Sequence, residues 1–125
     1  MLMKTPPETL FETEHPEFYR AVQAGSQLLD KIEPGWASKI NLSSLSLPNQ
    51  CNCILGQIYG SYEIGLKKVH IISGCDHGFS SKITKQETIE SNNEQYVILQ
   101  EMWVHEILKR RAVMKNAEVQ AFCSF

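Results

Sequence analysis

The chain has 125 residues, 42% hydrophobic and 21% charged, and a formal net charge of −2 from 12 basic and 14 acidic side chains. That length suits one domain, and the apolar share supports a packed core and excludes wholesale disorder. The near balance of charge excludes a global basic field for wrapping nucleic acid, and no apolar run reaches the roughly 18 residues of a membrane span.

The opening "MLMKTPPETLFETEH" has no apolar stretch of the secretory kind, so a cytoplasmic location is expected. In that reducing setting the four cysteines are thiols or metal ligands before they are disulfides. Residues 1–14 read as a flexible N-terminal arm anchored only by Leu10 and Phe11, ahead of a single helical domain over 15–125.

The first strong helix is "HPEFYRAVQAGSQLLDKIEPGW". Pro16 suits a first turn, where its missing N–H is no loss, and Glu17 suits the positive end of the helix dipole. Phe18, Ala21, Val22, Gly25, Leu28, Leu29 and Ile32 fall on one face at 3.6-residue spacing. Pro34 and Gly35 end the helix, and Trp36 is placed as a packing wedge against its end. In "WASKINLSSLSLPNQ", Ile40, Leu42, Leu45 and Leu47 are spaced for short extended pieces pinned to the core.

"NQCNCILGQIYGSYEIGLKKV", residues 49–69, reads as one continuous helix. Cys51, Ile54, Leu55, Ile58, Tyr62, Leu66 and Val69 make its apolar face, while Cys53, Gly56, Gly60 and Ile64 make a narrow, bare strip opposite. Each mid-helix glycine costs about 0.5–1 kcal/mol against alanine, so two of them four residues apart imply a surface that comes close. That strip is the expected partner-binding site, together with the basic cluster Lys109, Arg110 and Arg111.

Two other chemistries bear on the same region. Cys51, Cys53, Cys75 and His77 are zinc-type ligands, but a one-residue gap between two cysteines on a helix turns them about 160° apart. Zinc is therefore the alternative, and no cofactor is the primary expectation. The glycines match neither G-x-x-x-x-G-K-[ST] nor G-x-G-x-x-G after a strand.

The polar stretch 70–93 has room for a strand at "HIIS", and with Tyr59 and Tyr62 its residues His77 and Phe79 form an alternative ligand-binding set. The last helix, "NEQYVILQEMWVHEILKRRAVM", carries Tyr96, Leu99, Trp103, Ile107 and Met114 on one stripe, widened by Val97, Val104 and Leu108. The tail "AEVQAFCSF" reads as a docking segment or short strand.

Catalysis finds little footing. "HEILK" lacks the second histidine of a zinc-protease helix, and Cys75-Asp76-His77 is a local tripeptide, whereas working Cys–His pairs converge through the fold. The expectation is a protein that is not an enzyme.

Leu29 and Asp30 before Gly35-Trp36, the spaced Ile40, Leu42, Leu45 and Leu47, and "C-x-C-x-L-G-Q-x-Y-G-x-Y-x-x-G" come next in order. The last pattern takes in Cys51, Cys53, Leu55, Gly56, Gln57, Tyr59, Gly60, Tyr62 and Gly65, and His77-Gly78-Phe79 then precedes the helix of Trp103. In these features, over about residues 25–110, the chain resembles small uncharacterised proteins encoded by bacteriophages and prophages. The resemblance implies a phage setting and no particular chemistry.

The fold expected is mostly α, with three main helices and short strands at 40–47, 70–73 or the tail; α+β is the alternative. The function expected is that of a non-enzymatic phage accessory protein that binds another protein and interferes with a host defence or regulatory system. A homo-oligomer fits as well, with no membrane and no nucleic acid among its partners. The alternatives are a small-molecule or nucleotide-sequestering protein and a zinc-clipped nucleic-acid-binding module.

Overall fold

The computed structural model describes residues 6–80 and 89–123, with side chains over 10–80 and 94–114. The fold is mostly α, and no strand occurs among the described residues. In order come α1 (Pro6–Glu14), α2 (Pro16–Ile32), α3 (Trp36–Lys39), α4 (Ile54–Tyr59), α5 (Tyr62–Lys68), a 3-10 turn (Gly74–His77) and α6 (Ile89–Cys123).

Helix α2 forms as its apolar periodicity dictates, with Val22, Gly25, Ser26 and Leu29 buried. Gly35, at φ +81°, turns the chain into α3. The 35-residue α6, about 52 Å long at 1.5 Å per residue, is the beam on which α1, α2 and α3 rest. Its inner face buries Leu99, Met102, Trp103 and Ile107.

Three aromatic side chains form the centre. The Trp36 and Trp103 rings meet edge to face at 5.6 Å, and Phe79 stacks on Trp103 at 5.3 Å. The Trp103 indole N–H donates to the Gly78 carbonyl at 2.7 Å, so this buried polar group is satisfied. Gly25 lets the 3-10 turn lie on α2, for a Cβ there would sit 2.0 Å from the His77 carbonyl oxygen. Trp36 is thus the wedge expected of it, seated between α2 and α6.

The structure corrects the expectations of one helix over 49–69 and of strands at 40–47, 70–73 or the tail. The stretch 49–69 is not one helix. Cys53, in extended conformation, caps α4 by accepting the Gly56 N–H at Sγ, 3.2 Å away. Gly60, at φ +101°, then breaks the rod, and the Ser61 hydroxyl caps α5 by accepting the Ile64 N–H. Helical periodicity survives such a break because two short helices folded back on each other bury the same residue types as one.

The segment expected as a flexible arm is helical over Pro6–Glu14, and the Phe11 ring meets His105 edge-on at 6.2 Å. Leu45 and Leu47 are buried as expected, yet their backbone runs in turns. Two amides hold it there. Gln57 accepts from Asn41 N–H at 2.6 Å and donates to Asn52 O, while Gln100 accepts from Leu47 N–H and donates to Leu45 O. Side chains thus stand in for a neighbouring strand. Residues 70–73 are irregular, with His70 at φ +60°, and the tail is helical through Cys123. Residues 81–88 of the polar stretch lie outside the described residues.

Candidate functional site

Helix α6 carries two kinds of surface. Its inner face, besides the apolar core, holds the buried carboxylate of Glu106, 2% exposed. Gln23 donates to Glu106 at 2.6 Å and Arg110 at 2.5 Å, and Lys109 lies 3.4 Å away. Arg110 also grips Asp30 with a two-pronged bond, Nε to Oδ1 at 2.9 Å and Nη2 to Oδ2 at 2.8 Å. The same Asp30 Oδ1 accepts the Trp36 indole N–H at 2.8 Å, and the guanidinium lies 5.5 Å over the Trp36 ring. The hydrogen bond from Arg110 first, and that from Trp36 after it, hold the Asp30 carboxyl below its ordinary pKa against the opposing pull of burial.

On its outer flank α6 is open. Val97 and Leu108 are 59% and 51% exposed, Glu101 is exposed between them, and Val104 is half-buried. Beside this row a groove of about 530 Å³ runs between α6 and the 46–48 turn, with Pro48 and Tyr96 as its apolar walls. A second groove, of about 420 Å³, lies between the N-terminal end of α3 and α6, where Trp36 and Arg110 face Val113 and Met114. Single exposed apolar side chains are ordinary on a protein surface; here Val97 and Leu108 share one flank with half-buried Val104 beside the groove.

The residues expected to bind a partner are scattered. Cys53 and Gly56 are buried by their own chain, and a Cβ on Gly56 would sit 2.3 Å from the Gln50 carbonyl oxygen. The close approach inferred from that glycine is real, but the approaching element is the preceding turn. Gly60 is exposed at the break and Ile64 is half exposed on α5, so the four do not share one bare strip. Of the basic cluster, Arg110 is bound as above and Arg111 donates to the Ala37 and Ile40 carbonyls at the end of α3. Lys109 remains 45% exposed beside Glu106.

The alternative ligand set is dispersed too. The Tyr59 hydroxyl donates to Glu33 and Tyr62 to Ser80, His77 stacks on Phe79, and Phe79 is buried. Burial first, and Glu33 after it, push the Tyr59 phenol up. Of the alternative zinc ligands, Cys51 is exposed, Cys53 buried and Cys75 half-buried. Among the described residues no three His, Cys, Asp or Glu side chains are grouped to hold a metal, and burial pushes the Cys53 thiol up, away from the thiolate a metal needs. Also among the described residues, no helix is long and apolar enough to cross a membrane.

Sequence reading missed the outer flank, although Val97, Val104 and Leu108 were visible as extra width on the apolar stripe of α6. A stripe too wide for one core was the available signal. Several residues of the expected family pattern are joints of the fold: Gly35 and Gly78 turn with positive φ, Cys53 caps, and Trp36 and Phe79 fill the centre. Comparison of the chain with protein-family models, with curated proteins and with solved structures gives no match.

Proposed function

We propose that this is a non-enzymatic accessory protein of bacteriophage or prophage type that acts in the host cytoplasm by binding another protein chain through the outer flank of α6. Interference with a host defence or regulatory system is the role that fits its size and resemblance. The observation that carries the reading is the row of exposed Val97 and Leu108 with half-buried Val104 between them, beside the Pro48 groove. Withdrawing such a row from water yields about 25 cal/mol per Å², and among the described residues Val97 and Leu108 stay more than half exposed.

The test is a photo-crosslinking amino acid placed at Leu108, and separately at Ile72, which is 98% exposed but stands apart from that row. In producing bacterial cells, Leu108 is expected to give an adduct of defined mass with a second protein chain, and Ile72 none. Absence of an adduct at Leu108 overturns the reading.

A small-molecule-sequestering role is the second reading. The groove of about 420 Å³ between Trp36 and Met114 favours it, since ligand pockets begin at about 300 Å³. A thermal-shift screen with nucleotides separates the two, because a ligand at 100 times its Kd adds about 2.7 kcal/mol of stability.

A further inference from the structure

We propose that the chain seated on the outer flank of α6 is a second copy of this protein, packed antiparallel so that Val97 of each copy meets Leu108 of the other. The inference rests on the reading of that flank as a protein-binding surface and names the partner.

Spacing is the first argument. Glu94, Val97, Glu101, Val104 and Leu108 follow one another at steps of three and four residues, the interval of a two-helix seam. The first three and Leu108 are exposed, and Val104 is half-buried. In an antiparallel pair with Val97 opposite Leu108, the residue numbers of facing positions add to the same total. Glu101 therefore faces Val104, and its carboxylate stays off its own counterpart. A polar seam residue of this kind disfavours other registers at some cost in affinity. The arrangement is a two-fold, self-complementary contact that closes on itself.

Charge gives the direction. Residues 89–101 carry three acids and no base, and residues 109–115 four bases and no acid. Asp30 and Glu106, paired with Arg110 and Lys109, offset two of those four positive charges, which leaves the C-terminal half basic. A parallel copy sets acid against acid. An antiparallel copy sets the acidic half against the basic half and also opposes the two helix dipoles favourably.

Size bounds the contact. Five seam positions and the groove wall at Pro48 bury less than the roughly 800 Å² per partner of a standard interface, although area alone does not set affinity. What meets any host component is the pair.

Register and direction are tested together by two preparations in which Cys51, Cys75 and Cys123 are changed to serine, one with Val97→Cys and one with Leu108→Cys. Both added thiols are at exposed positions, and circular dichroism checks that each variant keeps its helix content. Mild oxidation of the mixture at high micromolar concentration is expected to give several-fold more covalent dimer than oxidation of either preparation alone. In the antiparallel pair like positions lie about 16 Å apart along the axis, at 1.5 Å per residue over eleven residues. Cross-links that form as readily within one preparation as in the mixture overturn the proposal, and so does a lack of cross-links in all three samples. If a Leu108 photo-adduct with a different protein persists in cells alongside that lack, the flank still binds protein and only the second copy is excluded.

Discussion

Arg110 and Asp30, eighty residues apart in sequence, meet through two parallel hydrogen bonds of 2.9 and 2.8 Å. Through that pair α6 is locked to the end of α2, with Trp36 sealed beneath it and Glu106 held on the other side. Arg110→Ala takes the principal cation from a carboxylate that is 2% exposed. Such a loss costs about 3 kcal/mol. Arg110→Lys keeps the charge and loses the fork, so its cost is smaller. Adding Glu106→Gln to Arg110→Ala is expected to restore part of the stability, because it removes a buried charge left with only Lys109, at 3.4 Å, as its cation. Urea unfolding of the three variants checks the order.

Acid is expected to weaken the fold. The Asp30 carboxyl is held below its ordinary value of 3.8 by Arg110, and Glu33 below 4.5 by Lys39. A depressed folded pKa means the unfolded chain binds the proton first, so the stabilisation is complete above those ordinary values and disappears as pH falls through the lowered ones. Urea midpoints measured from neutral pH to about pH 2 should fall in the acid limb. Asp30→Asn should flatten that limb and leave the neutral-side slope alone.

The glycines of the fifties and sixties separate a broken helix from a continuous one. Gly56→Ala drives a Cβ to 2.3 Å from backbone, an overpacking that costs about 2–3 kcal/mol. Gly60→Ala has open space but must hold φ +101°, at a cost of about 1 kcal/mol. In a continuous helix the same substitution stabilises by about 0.5–1 kcal/mol, so the sign of the change in thermal midpoint decides.

The thiols should label in order of access. Cys51 is exposed, whereas Cys53 is buried with its Sγ accepting the Gly56 N–H and its pKa pushed up by burial. A time course of alkylation read by mass spectrometry is expected to show Cys51 modified first and Cys53 only as α4 opens. Equal rates at the two positions contradict the cap.

Much of this fold was legible in the sequence. Helix α2 and the core-facing stripe of α6 follow from apolar spacing, and Trp36 from its place after the Pro34-Gly35 stop. The break at Gly60 was not, because α4 and α5 together keep the 3.6-residue pattern across it and only the sign of φ tells them apart. The turns of 41–48 were hidden for another reason: Gln57 and Gln100, which hold them, are 16 and 53 residues away from the amides they accept. The basic cluster looked available because its partners are equally distant. Asp30 lies 80 residues from Arg110, and the Ala37 carbonyl 74 from Arg111.

The native mass of the protein in the lysate of cells that produce it, read by size exclusion with immunodetection beside the Leu108→Glu variant, tests the outer flank of α6 most directly. The wild-type chain is expected to elute above its 14.2 kDa monomer mass and the variant to fall to that mass with its helix content unchanged. Co-elution of both at the monomer position contradicts the assignment of that flank to protein binding.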